Sequence, residues 1–131
     1  SKSYDNAIYL SDTAETTTQK IRTMFTDPLK IYKKDPGHPE TCPVFALHNI
    51  YNKGETEELS VVCKAGELGC VDCKKKLTAA MNEALAPIRE RRVQLEENPK
   101  ELDDILTAGA DKARAVASAT MAEVRCAMKL G

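Results

Sequence analysis

Apolar residues recur at helical spacing through the C-terminal part of this 131-residue chain, and this pattern limits the possible folds most. One helix is predicted over residues 77–95, with Pro87 expected to kink it because proline removes a backbone hydrogen bond. Asn98 is a cap and Pro99 a first residue for a second helix, whose apolar or small face continues to Ala127. Helices of this length bury their apolar faces against other helices. The sequence therefore predicts an all-α helical bundle with two long C-terminal helices.

Three shorter helices are predicted before residue 70 from capping residues and proline positions. Asp12, followed three residues later by an acidic residue, resembles a capping box that starts a helix over about 13–26. Pro43 can take the first position of a mostly apolar helix that ends near Gly54. Thr56 is expected to cap a third, short helix. The proline-rich loop between the first two is long, which is typical of functional loops.

Charge and hydropathy exclude several classes of protein. The chain has 19 Lys and Arg against 20 Asp and Glu, so its formal net charge of -1 excludes a uniformly basic nucleic-acid-coating protein. No apolar run approaches the roughly 18 residues of a membrane-spanning helix, and the N-terminus lacks the features of a signal peptide. We therefore expect a cytoplasmic protein with no membrane partner. Because the chain starts without methionine, we expect it to be the C-terminal piece of a longer protein.

Four of the five cysteines lie in one segment that ends in a CxxC motif. Cys42 is followed by Cys63 after 20 residues, by Cys70 after six more and by Cys73 after two more. Four thiolates can hold a zinc ion or an iron–sulfur cluster, and the spacing leaves both open. Small buried hydrophobes or a CxxC redox pair are the other interpretations. Cys126 stands apart and is expected to be a packed or free thiol.

Basic residues accompany the cysteines and could offset the negative charge of a four-thiolate site. The same lysines are the candidates for phosphate contact: Lys30, Lys33, Lys34, Lys64, Lys74, Lys75 and Lys76. Arg89, Arg91 and Arg92 are expected on a solvated helix face with local ion pairs, with phosphate contact as the alternative. His38 and His48 are expected to be loop or core residues rather than ligands. No complete catalytic set and no glycine-rich phosphate loop is present.

Five segments, taken in chain order, resemble the C-terminal third of bacterial tryptophanyl-tRNA synthetases. They read SKSYDN, FTDP, DPGHPETCPVFALHNIY, GELGCVDCKKKL and LAPIRERR. The resemblance covers essentially the whole chain and is most specific in the last three segments. It implies a class I aminoacyl-tRNA synthetase, usually a homodimer, in which a Rossmann domain activates tryptophan with ATP. A helical C-terminal domain then binds the anticodon of tRNA(Trp).

The resemblance also implies roles for the first residues of the chain. SKS is what remains of a KMSKS signature without its first two residues, so Lys2 corresponds to its second lysine. That catalytic lysine stabilises the triphosphate of ATP as the adenylate forms, and Ser1 and Ser3 would line the same ATP site. Residues 1–11 are then the remnant of this loop and its approach segment, and 12–131 the anticodon-binding domain. Because the tryptophan pocket is missing, we expect no catalysis by this fragment alone.

Some members of the resembled family carry a 4Fe-4S cluster on four cysteines spaced much like those here. The gap of six residues and the CxxC motif match, while the first gap differs by a residue or two, which a loop at 52–56 could absorb. The resemblance thus favours the cluster over zinc on Cys42, Cys63, Cys70 and Cys73, in a structural or tRNA-contacting role. A small iron–sulfur redox module and a zinc-binding helical interaction domain remain the competing hypotheses.

Overall fold

The computed structural model describes residues 7–130, and the regular structure within them is entirely α-helical. The helices are α1 (Ala14–Thr23), α2 (Pro43–Tyr51), α3 (Thr56–Lys64), α4 (Cys70–Glu97) and α5 (Pro99–Ala127). The predicted all-α class with two long C-terminal helices is therefore confirmed for this part of the chain. The chain divides into two compact units, Ser1–Arg89 and Glu90–Gly131.

The first unit holds a core formed by one face of α4 and the helices packed on it. Residues four positions apart on α4 share that face, as the sequence pattern predicts. The buried cluster consists of Ile21, Val44, Cys73, Leu77, Met81 and Leu85. Burial of each large aliphatic side chain contributes roughly 1.5–3 kcal/mol, so this cluster contributes substantially to the stability of the unit. One of the four cysteines, Cys73, belongs to the core itself.

The second unit exposes the apolar face that the sequence predicts for the last helix. None of its described residues is buried, and Ile105, Leu106 and Val116 are 49%, 61% and 70% exposed. The helix begins as predicted, with Asn98 as its cap residue and Pro99 at its first position, although the Asn98 side chain makes no capping hydrogen bond. The expectation that this face is buried against another helix is thus not met within the described unit.

The start of α1 differs from the predicted capping box. Thr13 is the N-cap, and its Oγ1 accepts a hydrogen bond from the Thr16 N–H at 3.1 Å. The predicted cap, Asp12, uses its carboxylate elsewhere, since it accepts from the ammonium of Lys20 at 2.8 Å and from the N–H of Tyr9 at 2.9 Å. A tertiary ion pair has therefore displaced a local cap, and α1 ends at Thr23 rather than near residue 26.

Two further helix boundaries position the cysteines. Thr56 is the first residue of α3 rather than its cap, because its hydroxyl donates to the backbone oxygen of Asn52 at 2.8 Å and Glu55 takes the cap position. α4 begins at Cys70 and continues past Pro87. The CxxC motif therefore forms the first turn of a long helix.

Candidate metal centre and neighbouring basic loop

The four predicted ligand cysteines border one small cavity in the first unit. Cys42 precedes α2 as its cap residue, Cys63 lies in the last turn of α3, and Cys70 and Cys73 lie in the first turn of α4. All four line a cavity of about 20 Å³, together with Asp27, Lys30 and His38 among others. Residues 31 positions apart in sequence thus meet because the ends of three helices converge.

The cysteines are free thiols around this cavity rather than a closed cage. No disulfide joins them, and Cys73 is buried while the other three are partly buried. Within residues 7–130, no three Cys, His, Asp or Glu side chains lie close enough together to hold one metal ion. A bound group must therefore draw these thiols inward or bridge the space between them.

Burial and mutual proximity make the thiols poor anions on their own. Burial, and next the negative charge that Cys63, Cys42 and Cys70 would carry as thiolates, together raise the pKa of Cys73 to about 12. Burial also raises the pKa of Cys63, against the opposing effect of the Lys30 ammonium. Both thiols are therefore protonated at neutral pH in the free chain, and a cationic group in the cavity would be needed to hold them as thiolates.

Gly37 brings the loop backbone against one of these thiols. Its N–H donates to the backbone oxygen of Cys63 at 2.9 Å. A Cβ atom at this position would lie 2.4 Å from the Cys63 sulfur, closer than any real contact. The loop can follow this path only because residue 37 has no side chain, a constraint that a Pro-Gly pair in a loop does not reveal by itself.

His48 is fully buried beside the most buried thiol. Its Nε2 lies 3.2 Å from the backbone oxygen of Cys73 and 3.4 Å from the Cys73 sulfur, and its Nδ1 lies 3.3 Å from the side-chain amide nitrogen of Asn52. The amide nitrogen can only donate, so Nδ1 accepts and Nε2 carries the hydrogen. Burial lowers the pKa of His48, which keeps the ring neutral. His48 is a core residue, as predicted, and in addition supplies a hydrogen-bond donor to Cys73.

Asp27 closes the loop that runs from α1 toward the cavity. Its carboxylate accepts hydrogen bonds from the N–H of Leu29 at 2.9 Å, the N–H of His38 at 2.8 Å and the His38 ring Nδ1 at 2.9 Å. Burial alone would raise the pKa of Asp27, but these donors lower it below its usual value. The helix predicted over about 13–26 ends just before Asp27, and the sequence pattern predicted no role for this residue in closing the loop.

The structure separates the predicted basic residues into different environments. Lys30 is only 7% exposed, and its ammonium donates to the backbone oxygens of Lys33 and Asp35. Lys74 donates to the backbone oxygens of Arg22 and Met24 at 2.9 and 2.6 Å and so caps the C-terminal end of α1. These two ammonium groups hold the backbone of the first unit together.

The other five lysines have exposed side chains, and three of these form ion pairs. Lys64 lies 3.7 Å from Glu40, and the remaining α4 lysines pair at 3.1 and 3.0 Å: Lys75 with Asp72, Lys76 with Glu55. Lys33 and Lys34 are exposed, and neither side chain has an acceptor among residues 7–130. These last two are the predicted candidates whose ammonium groups are most available to phosphate.

Arg89 departs from the expected solvated helix face. It is partly buried, and its guanidinium donates to the backbone oxygen of Asp12 at 2.9 Å, to the side chain of Asn82 at 2.9 Å and to the hydroxyl of Thr17 at 2.8 Å. In the second unit, by contrast, Arg91 and Arg92 form the expected exposed ion pairs, each at 2.7 Å from a glutamate. Arg89 therefore joins α1 to α4.

Ser1, Lys2 and Ser3, which the resemblance assigns to an ATP site, lie outside the described residues. Among residues 7–130, none of the helices combines the length and apolarity needed to cross a membrane.

Comparison with known proteins gives one consistent result. The model of the class I tRNA synthetases (W and Y) matches residues 1–86. The chain is 48% identical to the tryptophan–tRNA ligase of Aquifex aeolicus and 44% identical to that of Thermotoga maritima, over 99% of its own length and 33% and 40% of theirs. A crystal structure of the Campylobacter jejuni tryptophanyl-tRNA synthetase, complexed with ADP and tryptophan, superposes with a TM-score of 0.80 at 29% identity and covers 99% of this chain and 40% of that one. The chain thus spans about a third to two fifths of the length of these relatives, and it belongs to the tryptophanyl-tRNA synthetase family of class I.

Proposed function

We propose that this chain is the anticodon-binding part of a tryptophan–tRNA ligase, an enzyme that joins tryptophan to tRNA(Trp) with ATP. The observation that carries the proposal is the likeness of nearly the whole chain to tryptophan–tRNA ligases, at 48% identity to one of them. Two exposed lysines without an acceptor among the described residues, Lys33 and Lys34, add a surface that suits phosphate. On this proposal residues 12–131 form the tRNA-binding domain.

The remaining activity belongs to the whole enzyme, of which this chain is a part. Residues 1–11 contribute the end of the ATP-binding signature, where Lys2 stabilises the charge of the triphosphate and Ser1 and Ser3 line the ATP site. Tryptophan and ATP bind mainly to the other part of the enzyme, and the whole protein acts as a homodimer. The chain alone binds tRNA without charging it.

We further propose that Cys42, Cys63, Cys70 and Cys73 hold a 4Fe-4S cluster, with zinc as the alternative. The chemistry of the donor set supports this, because four thiols line one cavity and the Lys30 side chain borders it, and the thiols would move from their present positions to hold the bound group. When bound, the cluster would act as a structural cross-link and not as an electron carrier. Gly37 leaves space for the Cys63 sulfur, and the His48 N–H faces the Cys73 sulfur at 3.4 Å.

The cysteine site is arranged to join separate elements of the first unit. Its four residues come from the start of α2, the end of α3 and the first turn of α4. The loop between α1 and α2 is attached at the same point, through the Gly37 N–H and the backbone oxygen of Cys63, 2.9 Å apart. Loading of the site would therefore fix the loop that carries Lys33 and Lys34.

A binding experiment tests the tRNA function. The chain, purified without oxygen, is titrated into a labelled tRNA(Trp) transcript and into the same transcript with one anticodon base replaced, each at low and moderate salt. We expect the replaced base to weaken binding by about 5- to 150-fold, the cost of one wrongly read base, and both affinities to fall as salt rises. Equal affinity for the two transcripts at every salt concentration would overturn anticodon binding and favour the redox or zinc interaction modules.

A further inference from the structure

The tip of the loop between α1 and α2, residues 31–34, exposes aromatic and aliphatic side chains next to unpaired cations. Ile31 and Tyr32 are 77% and 74% exposed. They are followed directly by Lys33 and Lys34, whose ammonium groups meet no acceptor within residues 7–130. An aromatic face beside free positive charge is the combination that binds single-stranded nucleic acid, since bases stack on the ring and phosphates attract the lysines.

The backbone under these side chains is held in place. The carboxylate of Asp35 accepts hydrogen bonds from the N–H groups of Ile31 and Tyr32 at 3.1 and 2.7 Å, and its own N–H donates to the Tyr32 oxygen at 3.1 Å. From the inner side, the buried Lys30 ammonium donates to the backbone oxygens of Lys33 and Asp35. The Asp35 carboxylate is thereby occupied by backbone donors. A fixed frame of this kind reduces the entropy lost when a ligand binds.

The tip also forms one wall of a groove. Lys33 and Lys34 line a space of about 600 Å³ whose other side consists of Ala65, Gly66 and Glu67, after the end of α3. Gly66 has a φ of 75°, and a Cβ there would lie 2.3 Å from the backbone oxygen of Lys34. The absence of a side chain at Gly66 thus lets the two segments approach closely and keeps the groove bounded by backbone.

We infer that this tip is the surface that contacts the unpaired bases of the anticodon loop, with Tyr32 stacking on one base and Lys33 and Lys34 binding the flanking phosphates. The inference rests on the proposed tRNA-binding function and names the residues that perform it. RNA is favoured over a protein partner because the two ammonium groups line the groove together, and phosphate supplies the complementary charge at short intervals. Glu67 lies on the opposite wall of the groove. Its negative charge would repel phosphate, so the phosphates are expected on the lysine side.

Variants of the tip separate its contribution from that of the rest of the chain. The probe is a labelled hairpin RNA that carries the anticodon loop of tRNA(Trp), titrated at several salt concentrations. Tyr32→Ala should weaken binding by about 5- to 150-fold, as expected for one lost stack, while Tyr32→Phe should stay within about twofold of the wild type. The double variant K33A/K34A should reduce the slope of log K against log salt by about 1.4.

Control variants remove an exposed aromatic side chain and two exposed lysines at positions outside the tip. Phe25 is 68% exposed outside the tip, and Lys53 and Lys100 are exposed lysines elsewhere. Phe25→Ala and K53A/K100A should leave the affinity and the salt slope close to those of the wild type. Thermal unfolding of each variant verifies that the fold is retained.

The other possible results distinguish failure of the tip inference from failure of the proposed tRNA-binding function. If the wild type binds the hairpin and the tip variants bind as tightly as the controls, the tip inference is wrong while tRNA binding stands. An equal loss for Tyr32→Phe and Tyr32→Ala assigns the effect to the hydroxyl and overturns stacking. If the wild type does not prefer the correct anticodon loop over one with a replaced base, the proposed function itself fails.

Discussion

His48 and Cys73 are joined by a buried contact between α2 and α4, with His48 Nε2 3.2 Å from the backbone oxygen of Cys73 and 3.4 Å from its sulfur. The ring is neutral because burial lowers the pKa of His48, and Asn52 fixes its tautomer through Nδ1. One histidine therefore performs two tasks. It fills the core next to Phe45, with ring centroids 5.9 Å apart, and it presents an N–H to a thiol of the candidate metal centre.

His48→Ala should lower the free energy of unfolding by roughly 2–4 kcal/mol, because it leaves a cavity and removes the donor to Cys73. Urea unfolding followed by circular dichroism measures this loss. The matched control is Asn49→Ala, one residue further along α2 and exposed, which should change the stability by less than about 0.5 kcal/mol. Equal stabilities of the two variants would contradict a structural role for His48.

Gly37→Ala should reduce metal loading of the cysteine site, because the new Cβ would lie 2.4 Å from the Cys63 sulfur and force that thiol or the loop to move. The control is Gly54→Ala, where a Cβ meets nothing within 4 Å. Metal content per chain after identical reconstitution is the measurement. Full loading of Gly37→Ala would mean that the thiol moves without cost and that the close approach has no role.

Arg89→Ala should destabilise the first unit by roughly 2–3 kcal/mol, because three acceptors on α1, α4 and the segment before α1 lose their shared donor. Arg92→Ala removes only an exposed i,i+4 ion pair with Glu96 and should cost no more than about 0.5 kcal/mol. Urea unfolding compares the two variants. A loss for Arg92→Ala as large as that for Arg89→Ala would contradict the distinction.

Acid should weaken the segment before α1 through Asp12. A hydrogen bond from the Lys20 ammonium and another from the Tyr9 N–H lower the pKa of Asp12 in the folded chain. The ionised carboxylate therefore stabilises the fold above the unfolded pKa of about 3.9, and this contribution is lost as the pH falls through the lower folded value.

Thermal unfolding across the acid range tests this linkage. Asp12→Asn should be less stable than the wild type at neutral pH, and the difference should shrink as the pH falls below about 4. Lys20→Met, alone and combined with Asp12→Asn, completes a double-mutant cycle. The loss of stability caused by either substitution should be smaller when the other partner has already been replaced. A difference between wild type and Asp12→Asn that is constant with pH would contradict the ion pair.

The sequence predicted the elements better than the contacts between them. The spacing of Leu77, Met81 and Leu85 depends only on helix geometry, so the buried face of α4 could be read directly. The cap of α1 could not be read in this way, because the carboxylate of Asp12 pairs with Lys20, a residue beyond the first turn of the helix that capping rules do not consider. Local capping rules contain no information about such tertiary competition.

In the candidate site, too, the sequence predicted which residues take part better than how they are arranged. The four cysteines could be grouped from their number and spacing, yet their convergence depends on how the ends of α2, α3 and α4 pack together, which spacing does not encode. Among the basic residues, the sequence treats Lys30, Lys33 and Lys34 alike. The fold buries the first and exposes the other two, because a lysine stem can reach inward to satisfy backbone oxygens.

The most direct test of the account is the metal and acid-labile sulfide content of the chain purified without oxygen, compared between the wild type, Cys63→Ser and Cys126→Ser. Cys126 is an exposed free thiol on α5 and serves as the control. The account predicts about four iron and four sulfide per chain for the wild type and for Cys126→Ser, and a marked loss for Cys63→Ser. One zinc per chain without sulfide, or equal iron in all three proteins, would contradict a 4Fe-4S cluster on Cys42, Cys63, Cys70 and Cys73.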